Sequence, residues 1–181
     1  MSAADVVIVG GGPAGLSAAI ELRGRGAGRV VVYERELHAG GIPRHTAHLG
    51  YGMRDLHRVM SGPAYAAALT ARAERAGVEI ETGRTVRSFA GGTVHTTGAT
   101  GPTELAAGAA LLATGVRERP RSARLVPGDR PAGIFTTGAL QQFTALHHQR
   151  VGTRAVIVGA EHVSFSAVLT LAHARCAIAA M

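Results

Sequence analysis

Lysine and tryptophan are missing from this chain of 181 residues, cysteine occurs once, and aromatic residues make up 4%. A single thiol, Cys176, has no intrachain disulfide partner and builds no cysteine-based zinc cluster, which fits a reducing compartment. No apolar run reaches the length of a membrane span, and the N-terminus has no basic region followed by a hydrophobic one. The sequence therefore reads as a cytoplasmic protein without a membrane span or secretion signal. All 19 basic residues are arginine, giving a formal charge of +7, but they are scattered and no aromatic residues interleave with them. That pattern argues against a nucleic-acid partner. A diffuse positive field suits capture of an anionic cofactor or docking to an acidic partner subunit.

What is present is a hydrophobic fraction of 46%, enough for one domain or one and a fraction. Residues 6–15, Val-Val-Ile-Val-Gly-Gly-Gly-Pro-Ala-Gly, carry an apolar strand straight into a glycine turn that opens a helix. Each glycine has its own task. Gly10 turns the chain sharply, Gly12 leaves room for a pyrophosphate against the backbone, and Gly15 lets helix and strand approach. Pro13 fits the first helical turn, where its missing N–H costs nothing, and Ala14 follows it. The helix start offers free N–H groups and a positive dipole end to phosphate. A second strand ends in Glu34, near the roughly 20-residue offset at which a carboxylate grips ribose hydroxyls. The plain alternative is an ordinary βαβ unit with a glycine-rich turn. An acid at this position also permits NAD.

Along the chain, strands are expected at 5–9 and 29–33, with a helix over 13–25 between them. Residues 36–52 read as a loop, and a helical stretch follows from about Arg54, interrupted at Gly62-Pro63 and resumed over 64–76. Short strands are expected at 78–80, 85–89 and 93–97, with 104–107 and 109–113 further on. Residues 116–131 form a charged, exposed connector. A short helix over 138–148 precedes a strand at 154–158, a helix at 161–174 and a strand from Cys176. On it Gln141, His147 and His148 read as a solvated face. The fold class is α/β: a Rossmann-like FAD-binding domain, its parallel sheet carrying a small antiparallel meander, followed by the start of a second Rossmann-like unit. The first segment spans 1–150 and the second begins over 151–181.

This order of parts resembles the two-dinucleotide-domain flavoproteins, the pyridine nucleotide-disulfide reductase superfamily taken broadly. The resemblance implies FAD as cofactor. By it, Gly10, Gly12, Pro13, Ala14 and Gly15 contact the diphosphate and Glu34, with Arg35 beside it, the adenosine ribose. Gly41 and Arg44 fall in the loop that follows, Val86 supplies a backbone contact to adenine, and Ala113-Thr114-Gly115 lies beside the flavin. Disulfide-reducing members carry paired cysteines where this chain reads residues 40–46 and 136–140, neither of which contains one. Without a thiolate relay, thioredoxin or glutathione reduction is excluded.

Residues 40–45, 52–56, 61–65 and 113–120 are similar to a narrower branch, the flavin subunits of opine oxidases, hydrogen-cyanide synthase and the sarcosine-oxidase alpha subunit. These oxidise amines or amino acids together with partner subunits. The resemblance implies hydride removal from a C–N bond of a small-molecule substrate, with a further flavin or electron-transfer subunit as partner. No catalytic residue is assigned. Arg44 could pair with phosphate or a substrate carboxylate, while His45, His48 and His57 read equally as loop histidines. They form no metal site, because no carboxylate or cysteine stands at ligand spacing.

A second nucleotide turn begins at residues 156–164, but Glu161 stands where the second glycine should admit pyrophosphate and Ser164 replaces the third. NAD(P) binding there is doubtful. The chain then stops just inside that unit, so it reads as an N-terminal portion of a longer flavoprotein, with the strand at 155–158 poorly covered. Gly128-Asp129 is not the Gly-Asp pair that closes the flavin domain in the resembled proteins, because it sits in the connector. Two alternatives stand beside amine oxidation: an NAD(P)H-dependent flavin reductase without a redox disulfide, and a truncated remnant without catalysis.

Overall fold

The computed structural model describes residues 3–129 and 131–181. Its elements are β1 (Ala4–Val9), α1 (Pro13–Gly24), β2 (Val30–Tyr33), β3 (Leu49–Tyr51), β4 (Met60–Ser61), α2 (Gly62–Arg75), β5 (Glu79–Glu81), β6 (Arg84–Ala90), β7 (Thr93–Gly98) and β8 (Gly101–Leu112). After these come α3 (Thr137–Gln141), β9 (Arg154–Val156), α4 (His162–His173) and β10 (Ala177–Ala180). The chain forms two compact units, the first from residues 1–41 and 64–115, the second from 42–63 and 116–181.

In the first unit, a six-stranded sheet has the order β5-β2-β1-β8-β7-β6. β1, β2, β5 and the second half of β8 run parallel, whereas β6, β7 and the first half of β8 make an antiparallel meander. The mixed sheet is the α/β architecture read from the sequence. β2 is Val-Val-Val-Tyr and buried at every position, as a parallel strand covered on both faces requires. Alternation along β1 sends neighbouring side chains to opposite faces. Val7 joins Ala4, Val31, Tyr33, Val94, Leu105 and Ala107 in one core cluster. Ile8 meets α1, whose Leu16 and Ala19 are buried.

Two expected strands are one. Residues 104–107 and 109–112 belong to the 12-residue β8, which ends one residue short of the expected 113 and whose residues 101–106 pair with β7 while 107–112 pair mainly with β1. Gly108 marks the join, where an added Cβ would lie 3.0 Å from the Asp5 carbonyl oxygen. A local reading breaks there because the pairing that continues the strand comes from residues far away in sequence.

The second unit holds an antiparallel pair, β3 with β4, and a parallel pair, β9 with β10, crossed over by α4. Leu140, Ala167, Leu171 and Cys176 form its buried core, with Phe135, Val151, Ala155 and Ile157 against them. Val156 and Val158 are 65% and 95% exposed, so alternate positions of this strand region are uncovered. The expected helix from Arg54 is absent. Residues 52–58 close instead as turns onto the Gly52 carbonyl, and Gly62-Pro63 begins α2 rather than interrupting it. The 138–148 segment is likewise split: α3 ends at Gln141 and a wider π-type turn runs over 142–146. In the 116–131 connector, Val116 and Leu125 are fully on the surface, and the Arg121 guanidinium donates to the carbonyls of Pro127, Gly128 and Asp129. Arg130, within that connector, lies outside the described residues.

At the parallel edge, the Arg29 guanidinium donates to both carboxylate oxygens of Glu79 at 2.8–3.1 Å, clamping β5 against the entry to β2. The hydrogen bond from Arg29 holds the Glu79 carboxyl below its ordinary range. Burial pushes the Tyr33 phenol up. A depressed carboxylate stabilises the fold above its unfolded pKa and loses that contribution as pH falls through the folded value. Both partners are partly exposed, so the contribution is small, about 0.5–1 kcal/mol. Glu79→Gln should therefore lower urea-melt stability by that amount at pH 7, and the difference from wild type should shrink as pH falls below the ordinary carboxylate range and through the folded value.

Candidate functional site

At the carboxyl ends of β1, β2 and β8, the first unit gathers the residues singled out by the sequence. In an open α/β sheet this is where ligands bind. The Ala113 amide donates to the Val9 carbonyl at 2.9 Å, carrying β8 past the end of β1, and Ala113-Thr114-Gly115 follows directly beside the glycine turn. Gly10 has φ +110°, and a Cβ there would lie 2.4 Å from the Ala113 carbonyl oxygen. At Gly15 an added Cβ would fall 2.0 Å from the Gly10 carbonyl oxygen and 3.2 Å from Ile8. These two glycines are demanded by the fold itself.

Gly12 is different. Its backbone is extended (φ −79°, ψ −178°), which any residue adopts, and an added Cβ would meet nothing nearer than the Gly41 Cα at 3.8 Å. Neither backbone conformation nor close packing asks for glycine at this position. Gly12 is also the N-cap of α1, with Pro13 at the first helical position and no side-chain cap. Helical geometry leaves the first-turn amides, including those of Ala14 and Gly15, without intrahelical acceptors. A diphosphate fits such a cradle, because the amides point at it and the helix dipole favours its charge.

Glu34 is 8% exposed and braces the turn. Its Oε2 accepts from the Gly11 amide at 2.9 Å and its Oε1 from the Glu36 amide at 2.9 Å. A carboxylate has about four acceptor sites, so capacity for ribose hydroxyls remains after these two bonds. Arg35 is exposed and pairs with Glu36 at 3.4 Å. Gly41, at φ +62°, would bring a Cβ within 2.9 Å of the Gly12 Cα, which closes the loop tightly over the turn. β6 starts beside Glu34, since the Arg84 amide donates to the Glu34 carbonyl at 2.9 Å, and Val86 lies two residues further with its side chain packed against the core.

Gly11 and Gly40 escaped the sequence reading. A Cβ at Gly11 would crowd Glu34 and Ala39 at 3.1–3.2 Å, and the Gly40 amide donates to the Gly11 carbonyl at 2.7 Å. The signal was there: a run of three glycines and a later pair, more than a GxGxxG turn needs.

Arg44, His45 and His48 belong to the second unit. Arg44 and the buried His45 lie on a one-turn 3-10 helix. His48 stacks on Tyr51 at 5.7 Å, with Nδ1 at 2.9 Å from the Leu49 carbonyl and Nε2 at 3.1 Å from Ser166 Oγ. The Gln141 amide donates to the same Ser166 hydroxyl at 2.8 Å. Gln141 is thus buried, at 5% exposure, contrary to the solvated face expected of it, because its amide finds partners on α4 and the 42–46 loop. His147, His148 and His57 are exposed. No group of three or more His, Cys, Asp or Glu able to hold a metal ion occurs among the described residues. None of their helices is long and apolar enough to cross a membrane.

The second turn has a different geometry. Glu161 is the N-cap of α4, and a Cβ on Gly159 (φ +136°) would meet Glu161 Oε2 at 2.9 Å and Ser164 Oγ at 3.0 Å. The carboxylate therefore lies over the turn. Its repulsion of a phosphate charge 4 Å away runs from about 1 kcal/mol in water to about 4 kcal/mol at an effective dielectric of 20. A helix terminus offers an anion about 0.3–1 kcal/mol. Charge alone cancels that gain, and the side chain's bulk adds to it. The residues of this turn do not fit a nucleotide diphosphate.

A family model described as pyridine nucleotide-disulphide oxidoreductase matches residues 4–178. Among solved structures, L-proline dehydrogenase from P. horikoshii is similar over 98% of this chain and 35% of its own, at 19% identity and a TM-score of 0.78. Thioredoxin reductase from Lactococcus lactis is similar over 64% of this chain and 37% of its own, at 26% identity and a TM-score of 0.51. The thioredoxin reductase of Streptococcus pyogenes gives 25% identity, 64% and 36% coverage, and the same TM-score of 0.51. This chain thus spans little more than a third of each of these structures. No curated protein matches it. The disulfide pair named in the family description is missing here, and Cys176 is buried in the second unit's core.

Gly12→Val should cost little thermal stability, because a Cβ there meets only the Gly41 Cα at 3.8 Å, while lowering FAD affinity at least tenfold in a flavin titration. Gly15→Ala should instead destabilise by about 1–3 kcal/mol through overpacking against the Gly10 carbonyl. Equal FAD affinity of Gly12→Val and wild type would remove the cradle assignment.

Proposed function

The chain belongs to the pyridine nucleotide-disulphide oxidoreductase family, and from that premise we propose that it is the FAD-binding part of an oxidoreductase acting on the C–N bond of an amine or amino acid. The observation that carries the flavin reading is Gly12, a bare, uncapped helix entry that the fold itself does not require. Gly10, Gly12, Pro13, Ala14 and Gly15 hold the diphosphate, and Glu34 takes the ribose with Arg35 beside it. Gly41 would close the near side, Val86 would offer its backbone to adenine, and Ala113, Thr114 and Gly115 would hold the flavin end. Arg44, in the second unit, is by its chemistry a cation suited to a phosphate or a carboxylate. Residues 1–150 then form the first segment of the flavin domain and 151–181 the opening of the second.

When bound, FAD supplies the hydride acceptor, and the protein supplies binding, orientation and electrostatics. The buried Glu34 braces the turn through Gly11, so the diphosphate cradle is set before any ligand arrives. Position over the flavin falls to the segment after β8, which the Ala113–Val9 hydrogen bond fixes. For the substrate class, the support is the likeness of residues 40–45, 52–56, 61–65 and 113–120 to amine- and amino-acid-oxidising flavin subunits. The P. horikoshii structure carries the name of an amino-acid dehydrogenase, but at 19% identity it speaks for the fold. Further subunits, reached through the arginine-rich surface, complete the proposed complex.

Anaerobic mixing of the FAD-loaded protein with a panel of amino acids and amines should bleach the flavin absorbance with at least one of them. Bleaching by NADH or NADPH alone would establish a flavin reductase instead. A purified protein that stays colourless and takes up no added FAD would end the reading altogether.

A further inference from the structure

The family to which the chain belongs is named for pyridine nucleotides, yet in its second nucleotide turn a carboxylate lies over the first glycine. We infer that Glu161 is a specificity determinant that closes the α4 turn to nucleotide phosphates, so that NADH and NADPH are not ligands of this protein. Three features of the turn converge. Gly159 retains the positive φ, +136°, of a strand-to-helix nucleotide turn, so the backbone has kept its shape. β9 and β10 still pair in parallel around α4, so the βαβ frame is also present. What differs is the surface that a phosphate would approach. Glu161 Oε2 lies over Gly159, and the Ser164 hydroxyl, 3.5 Å from that oxygen, faces the same spot.

Set beside the first turn, the contrast is specific. Both helices begin from an N-cap in extended conformation without a side-chain cap, Gly12 for α1 and Glu161 for α4. A Cβ at Gly12 would meet nothing nearer than the Gly41 Cα at 3.8 Å, whereas the corresponding residue of the second turn carries a carboxylate folded back over the glycine. The helix end that would attract an anion already has one of the protein's own beside it. Ser164 takes the place of the glycine that, in the first turn, lets helix and strand backbones touch, and it is 4% exposed. With this turn closed, reduced nicotinamide is not the source of the flavin's electrons, which come instead from the amine or amino acid being oxidised. That consequence rests on the flavin reading, whereas closure of the turn does not.

The test is titration of the FAD-saturated protein with NADH and NADPH, followed by dihydronicotinamide fluorescence and by calorimetry. Wild type should show no saturable binding up to millimolar concentrations. Glu161→Gly should gain at least tenfold in affinity, and Glu161→Gln, which keeps the bulk but loses the charge, should fall between them. Micromolar binding by wild type would overturn the inference, as would equal affinities of wild type and Glu161→Gly. FAD uptake is read separately and should be the same in all three proteins. If no FAD is taken up, the flavin reading fails, and the same comparison made in a Gly12→Val background still decides the role of Glu161.

Discussion

Contact between bare backbones organises the first unit. Where β1 ends, the Gly10 carbonyl lies so near α1 that residue 15 has no room for a side chain, and the Ala113 carbonyl lies so near Gly10 that residue 10 has none either. Helix, central strand and neighbouring strand thus meet through main-chain atoms alone. The helix entry is drawn to the sheet edge, and its amides are presented in a fixed direction. Glu34 makes the arrangement rigid by accepting from the Gly11 amide while the Gly40 amide reaches back to the Gly11 carbonyl.

The glycines of this turn consequently fall into two groups. Gly10 and Gly15 satisfy internal sterics, and their loss is a matter of folding. Gly12 meets only the Gly41 Cα, at 3.8 Å, so packing places no comparable demand on it. A motif written as GxGxxG conceals this division, since all three letters are alike. Ideal Cβ positions separate them: 2.0 and 2.4 Å from main-chain oxygens for two, and an ordinary 3.8 Å contact for the third.

The second unit applies the same frame with different chemistry. Its βαβ element, β9-α4-β10, buries Ala167, Leu171 and Cys176 against Leu140. The lone cysteine is thereby a packing residue, in keeping with a chain that has no thiol pair to relay electrons. The polar set of Thr46, His48, Gln141 and Ser166 joins the 42–51 segment to α3 and α4 by hydrogen bonds. A buried amide such as that of Gln141 is tolerated because both of its ends find partners.

How far the sequence could be read depended on the range of the interactions involved. The first turn, its helix, β2 and the acid at its end are encoded within some thirty consecutive residues, where apolar runs, glycine spacing and a proline at the helix start act locally. The α/β class, the absence of redox cysteines and the intrusion of Glu161 into the second turn were all legible in that way. Continuity of β8 was not, because its halves are held by different partners, β7 and β1, and nothing local marks Gly108 as an interior strand position. Nor was the turn at 52–58, where chain reversal onto the Gly52 carbonyl replaces the helix that composition suggested. Burial of Gln141 depended on Ser166, which lies on a helix distant in sequence. Local pattern determined what each segment is. Tertiary pairing decided where strands join and which of the three motif glycines the fold itself requires, because only the folded chain shows what each missing side chain would have touched.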